Sequence, residues 1–437
     1  MIGKISITVA AIFLFSAFAL FIWIGAANAA DDPDQLVQIA WQTNPSVASL
    51  TEKIEAARQR VPQAGVWADP MLAVEYSNVP VDTFALGDHP MSGVQLKLQQ
   101  TFPFPGTTGK RKAVAEAMTG VARFDLKEKQ NQIRAMVKRA YWNLTLVRHL
   151  RVITEQHVQE IDDLVVSVNS RYQTGAAGQH DLLRLMVLRD RLIDDLDDFN
   201  RKEATVLASL NTLLNRAPDE PVQTPAKVEP AVVSMPEQEA WDSAQKSHPL
   251  VLAKTEQAKA DRLGAERASY EGWPDPTVWV GYRFREEITN PQGMVTDKGI
   301  DFFTAGLSIP IPVFNGSRWG AAEREKLAQK RSAQSDRAAI AEQIRGELRT
   351  AYASWQRAIS KSKTYAETIQ PVQKQTLQAT LAAYQVGRAD FTSLYAAEVG
   401  LLDVERELIK AKSETWIQQA NVETLVGAGI PDQGESK

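Results

Sequence analysis

Hydrophobic and polar positions change their spacing along the chain in an order that occurs twice. From Asp34 to about Val66 apolar residues recur at three and four, which predicts a helix starting at Asp34 and interrupted by Pro45. After Asp69-Pro70 the period becomes two: Leu72, Val74 and Tyr76, then Val94, Leu96 and Leu98, alternate with mostly polar neighbours. This predicts strands over about 70–78 and 92–102. A stretch without proline then runs from Gly106 to Thr174, 69 residues, in which Ile133, Val137, Ala140, Tyr141 and Leu144 repeat at three and four. A continuous helix over 106–174 would be ~100 Å long, too long for the interior of one domain, so it must pack along a partner. A return helix over 178–215 carries Leu185, Leu188, Leu192 and Leu196 on one face, and together the two read as a coiled-coil hairpin.

The second copy predicts strands over about 277–286 and 302–310, a long helix over 316–386 and a return helix over 390–427. Its landmarks match those of the first. Asn44-Pro45 becomes His248-Pro249, Trp67-Ala68-Asp69-Pro70 becomes Trp273-Pro274-Asp275-Pro276, and Phe102-Pro103-Phe104-Pro105 becomes Ile309-Pro310-Ile311-Pro312. Tyr172-Gln173-Thr174-Gly175 becomes Tyr384-Gln385-Val386-Gly387, so the offset drifts only from 204 at Pro45 to 212 at Gly175. One object is expected from two similar halves, 30–216 and 237–427, joined by the proline-rich linker 217–236 and followed by a short tail, 428–437. At the hairpin tips, glycines after the last helical residue suit a left-handed cap, and Asp181 and Asp390 are placed to start the return helices.

All four strands have one apolar and one wet face: Val278, Val280, Tyr282 and Phe284 alternate with Trp279, Gly281, Arg283 and Arg285. A soluble half-buried sheet gives the same alternation. Segments of ~9–11 residues also suffice to cross a bilayer when tilted, and four strands cannot close a barrel alone, so a membrane reading requires several chains.

Composition narrows the function. Lys4, the apolar run Ile5–Ile24 and the small-residue triplet Ala27-Asn28-Ala29 predict a secretory signal over 1–29, with an uncleaved membrane anchor as the alternative. Its removal takes the formal net charge from −4 to −5, which argues against nucleic acid as a partner. The chain has no cysteine, which excludes disulfides, thiolate metal sites, a cysteine nucleophile and a lipid-modified N-terminal cysteine.

No catalytic constellation is found, and the chain is read as a non-enzyme without cofactor or metal. The five histidines, His89, His149, His157, His180 and His248, have no ligand spacing and are expected as polar surface residues. His89-Pro90-Met91 with Met71 is read as an ordinary loop rather than a soft-metal site. Gly106-Thr107-Thr108-Gly109-Lys110-Arg111 lacks a phosphate-loop pattern and is expected as a flexible strand-to-helix junction with cations near lipid headgroups. Asp194, Asp195, Asp197 and Asp198 form an acidic face, facing either bulk solvent or the lumen of a tunnel.

Signal, duplication, strand pairs set within long helices, proline-marked junctions and a Tyr-x-x-Gly turn after each long helix together resemble the TolC-type outer membrane efflux channel family, over about Gln35 to Gly427. The resemblance implies a mainly α, α+β membrane protein of the outer membrane of a Gram-negative bacterium. Homotrimers would form one transmembrane β-barrel of four strands per chain, continued by a periplasmic α-helical barrel. It also implies a passive exit duct of a tripartite efflux pump, in contact with outer membrane lipid, a periplasmic adaptor (membrane fusion) protein and, indirectly, an inner-membrane pump. Tyr172, Gly175, Gly178, Tyr384 and Gly387 would then be docking tips, Arg388 with Asp390 and Asp181 a periplasmic gate, and Lys97, Arg283 and Arg285 residues of the barrel lumen. The segment Gln100–Gly106 followed by Gly109-Lys110-Arg111 looks most like the heavy-metal efflux branch, although many relatives carry a lipid-anchoring cysteine that is absent here. A type I protein-secretion duct is the alternative within the fold. A periplasmic adaptor is the alternative of another class, disfavoured because two hairpins replace its one.

Overall fold

The computed structural model describes residues 30–232, 235–290, 292–313 and 316–427; the expected signal and tail lie outside them. The described chain divides into two units, one of 30–49, 126–249 and 341–427, the other of 50–125 and 250–340.

The second of these units contains the sheet. Strands β1 (Met71–Ser77), β2 (Gly93–Thr101), β3 (Thr277–Phe284) and β6 (Phe302–Ser308) are antiparallel in the order β1-β2-β3-β6, and among the described residues nothing pairs with the outer sides of β1 and β6. Register carries the alternation across all four strands. Leu72, Leu98, Val280 and Ala305 lie in one row, and Val74, Leu96, Tyr282 and Phe303 in the next. The opposite face carries Ala73, Lys97, Gly281 and Thr304 in one row and Glu75, Gln95, Arg283 and Phe302 in another. The apolar face is uncovered: Leu72 is 68% exposed, Val74 66% and Phe303 69%.

The loop between β3 and β6 holds a small hairpin that the alternation did not announce, β4 (Ile288–Thr289) with β5 (Val295–Asp297). At the junction after β2, Phe104 stacks on Trp273 at 5.2 Å and its amide donates to Asp275 Oδ1 at 2.7 Å, so the Pro-Phe-Pro run of one copy is gripped by the Trp-Pro-Asp-Pro run of the other.

The helices are α1 (Pro33–Thr43), α2 (Pro45–Ala64), α3 (Thr107–Gln173), α4 (Gln179–Leu214), α5 (Glu237–Ser247), α6 (Pro249–Tyr270), α7 (Gly316–Thr364), α8 (Gln370–Gln385) and α9 (Phe391–Val426). The first begins one cap earlier than its expected start at Asp34, because the Asp32 carboxylate accepts from the Asp34 amide. The second long helix is not continuous. Tyr365–Ile369 forms a π turn, in which the Gln370 amide donates to the Tyr365 carbonyl. Pro371 follows at once; lacking an amide hydrogen, it cannot continue the α ladder, and the wider turn absorbs the defect.

In the helical unit, one cluster packs Leu36, Val37 and Ala40 of α1 against Ile133, Val137, Tyr141 and Leu144 of α3 and Leu210 and Leu214 of α4. A second joins Ile161 and Val168 of α3, Leu185 and Leu188 of α4, Tyr384 of α8 and Phe391 and Leu394 of α9, so that the hairpins of the two repeats share one core. The linker has little regular structure but is firmly held. Val222, Val228 and Ala231 are buried, and the Trp416 indole donates to the Glu229 carbonyl at 2.7 Å.

Candidate functional site

The tips of the two hairpins are built from the same turn. After α3, the Gly175 amide donates to the Tyr172 carbonyl at 2.9 Å and that of Ala176 to Arg171 at 2.8 Å. After α8, Gly387 donates to Tyr384 at 3.0 Å and Arg388 to Ala383 at 2.8 Å. Both glycines have positive φ, +75° and +73°, where a side chain is strained. A Cβ at either would meet nothing within 4 Å, so the strain is purely conformational and the glycine surface is open in the chain.

Asp390 caps α9, accepting from the Ser393 amide at 2.8 Å, and this bond holds its carboxyl below the usual range. Asp181 does not start α4 as expected. Gly178 is the cap and Asp181 stands three residues on, where its buried carboxylate reaches back to the Gly178 amide at 3.1 Å and pairs with His180 at 3.0 Å. Tyr384 is buried beneath the Arg171 guanidinium, 4.6 Å from its ring centre, and Arg171 also donates to the carbonyls of Tyr384 and Gln385. Tyr172 and Arg388 are exposed, and among the described residues Arg388 makes no ion pair.

On the wet face of the sheet, the Lys97 ammonium lies over the Trp279 ring at 4.8 Å, and Arg283 donates to Gln95 Oε1 at 2.9 Å. The Trp279 ring lies across Gly306, where a Cβ would come within 2.5 Å of it. Arg285 stands apart from these two. It lies beyond the end of β3, pairs with Asp297 at 2.7 Å and donates to the carbonyls of Ile300 and Pro90, so it ties loops together.

Two expectations about charge are corrected. Lys110 and Arg111 do not form a flexible cationic junction: they lie in the first turns of α3 and pair with Glu266 of α6 at 2.6 Å and with Glu271, just past the end of α6, at 3.1 Å. Nor are all histidines surface residues. His157 is 2% exposed and His248 4%. The first has both ring nitrogens on carboxylates, Nδ1 to Glu398 at 2.9 Å and Nε2 to Glu405 at 3.1 Å. Burial alone would push its pKa down, but these hydrogen bonds carry it up to about 9. The second ends α5 at the position where Asn44 ends α1, and burial holds it down at about 4.

His248 therefore folds neutral, while the unfolded chain takes up a proton below the ordinary pKa of 6.5. In that window the unfolded state binds more protons, so stability is lost as pH falls from about 6.5 toward 4. Between pH 7 and pH 5 this residue removes about 2 kcal/mol. Denaturant midpoints of the wild type and of His248→Asn at the two pH values measure it; an equal acid loss in both rules it out.

With two matching hairpins and a sheet exposing its apolar face, comparison with known proteins becomes informative. Residues 280–428 match the family model for outer membrane efflux proteins. That stretch, from within β3 to the end of α9, is what resembles the family. It is 22% identical over 323 residues to the outer membrane efflux protein BepC of Brucella suis biovar 1 (strain 1330), covering 74% of this chain and 69% of BepC. Among solved structures, the outer membrane protein VceC of Vibrio cholerae superposes with a TM-score of 0.73 at 18% identity, over 91% of this chain and 97% of VceC. CusC, whose structures concern transmembrane channel formation, gives 0.74 at 15% identity over 92% and 93%.

The fold is thus that of the outer membrane channels VceC and CusC. None of the described helices is long and apolar enough to cross a membrane. The group that sequence reading missed is His157 with its carboxylates, whose partners are 241 and 248 residues away. The available signal was the heptad spacing of Glu398 and Glu405, which puts both on one face of α9.

Proposed function

We propose that this protein is the passive outer membrane exit duct of a tripartite efflux pump, assembled as a homotrimer in which three four-stranded sheets close one barrel of about twelve strands. The observation that carries it is the sheet: one largely apolar, uncovered face and two edges unpaired among the described residues, an arrangement stabilised where lipid covers the face and another copy pairs each edge. Lys97 and Arg283, on the opposite face, line the lumen in this reading, and Arg285 braces the loops at its rim. The resemblance of the Gln100–Arg111 region to the heavy-metal branch extends the proposed cargo to metal cations. Outer membrane fractionation followed by cross-linking tests the proposal. A cross-linked trimer in that fraction supports it, and a soluble monomer ends it.

Adaptor docking is assigned to the tips, Tyr172, Gly175, Gly178, Tyr384 and Gly387. Open glycine surfaces admit close backbone approach, whereas a side chain at positive φ costs roughly 1–2 kcal/mol and blocks it. Gly175→Val and Gly387→Val should each abolish efflux with the trimer intact. Unchanged resistance in both moves docking elsewhere.

The gate is assigned to Arg388 paired with Asp390 or Asp181 of neighbouring hairpins. Exposed pairs are worth only ~0.2–1 kcal/mol each, but threefold repetition multiplies them at one constriction. Arg388→Ser should raise single-channel conductance at low salt, where screening is weakest. Parental conductance there would make Arg388 only a surface cation.

A further inference from the structure

A cleft of about 540 Å³ beside α3, α8 and α9 is lined by His157, Glu160, Lys374, Glu398 and Glu405. Nδ1 of His157 lies 2.9 Å from Glu398 Oε1 and 3.5 Å from Glu160 Oε2, and one ligand atom from each of these three residues falls within 4.8 Å of the others. On the other side of the ring, Nε2 meets Glu405 Oε2 at 3.1 Å, and Glu405 is itself held by Lys374 at 2.9 Å and Gln370 at 3.1 Å. The His157 ring and the Glu398 carboxylate are almost wholly buried, whereas Glu160 is exposed and leaves one side open to the cleft.

With the imidazole donating through Nε2–H to Glu405, its Nδ1 lone pair faces two carboxylates. Three acceptors that close repel one another unless a proton or a cation lies between them. Ligands about 2.0–2.1 Å from a tetrahedral ion stand about 3.3 Å apart, a value that the 2.9 and 3.5 Å separations bracket. Charge agrees: three carboxylates and one lysine around a neutral imidazole carry two excess negative charges, which a divalent ion neutralises. The donor set of one imidazole nitrogen and two carboxylate oxygens suits the zinc class, whereas calcium takes six to eight oxygens and magnesium keeps an octahedral shell of waters.

We propose that His157 Nδ1, Glu160 and Glu398 bind one divalent first-row transition cation of the zinc class, with Glu405 as the positioning residue that orients the imidazole through Nε2–H. On binding, the ion replaces the Nδ1 proton, which passes to solvent, and a water from the cleft completes four-coordination. The site lies within the helical unit and joins α3 of the first repeat to α9 of the second, so an ion there cross-links the two hairpins.

The test uses the purified full-length protein in detergent, stripped of metal with a chelator and titrated with Co²⁺. One ion per chain is expected, with the intense visible absorption of a tetrahedral site, displaced by Zn²⁺ but not by Ca²⁺. Glu160→Gln alters an exposed side chain and leaves the buried His157–Glu398 pair in place, so it should fold while weakening affinity at least tenfold. Glu405→Gln should weaken it about 10- to 100-fold with the stoichiometry still one, as loss of an orienting carboxylate does. Weak octahedral absorption, equal competition by Ca²⁺, or affinity unchanged in Glu160→Gln would each overturn the proposal.

Discussion

Arginine at Val280 should destabilise the membrane-embedded protein by about 2–4 kcal/mol per chain if that residue lies near the bilayer midplane. Val280 sits in the central apolar row between Leu98 and Ala305, so no rotamer reaches the wet face without crossing the sheet. Thr304, on β6 but on the wet face, is the control, because arginine there adds a charge beside water and near Lys97. Urea unfolding from lipid vesicles, with trimer yield from outer membranes, measures both variants. Equal tolerance of arginine at the two positions would refute the assigned faces.

A second large effect is expected in the helical unit. Lys138 reaches Glu423 at 2.8 Å and Asp34 at 2.8 Å; the Lys138 and Glu423 side chains are buried, and that of Asp34 is largely exposed. Arg134, also buried, donates to Asn131 and to the Glu423 carbonyl. Glu423→Ala therefore leaves two buried cations sharing one exposed carboxylate, and removing one partner of a buried pair costs about 3–5 kcal/mol. Lys138→Met combined with Glu423→Leu should recover most of that loss, since an apolar pair of similar volume replaces a desolvated ionic one. Denaturant midpoints of the helical unit's signal report both variants. A loss below 1 kcal/mol in Glu423→Ala would mean that water reaches the pair.

The parts of the molecule that were legible in the sequence are those fixed by local chemistry. The strand faces follow from period two over seven to nine residues, and the hairpin tips from the glycines that end α3 and α8. Pro371 was also a local signal, and the π turn beside it marks a conflict between a helical pattern and a missing amide hydrogen. What could not be read depends on pairs distant in sequence. Lys110 and Glu266 are 156 residues apart, and His157 and Glu398 are 241 apart. Spacing rules see only neighbours on one element, so a histidine whose ligands come from another helix looks like a stray surface residue.

The order of strands has one more consequence. The two outer edges of the sheet are unlike, β1 from the first repeat and β6 from the second, so copies that share one orientation and turn the same face to lipid can pair only β6 to β1. Association must run head to tail. Because the number of strands is even and every neighbour is antiparallel, β6 of one copy meets β1 of the next with opposite direction, and the alternation continues across the seam without a defect. Parity thus guarantees a seamless ladder for any number of copies, and only the curvature of each sheet decides whether the ladder returns to its start or grows into an open ribbon.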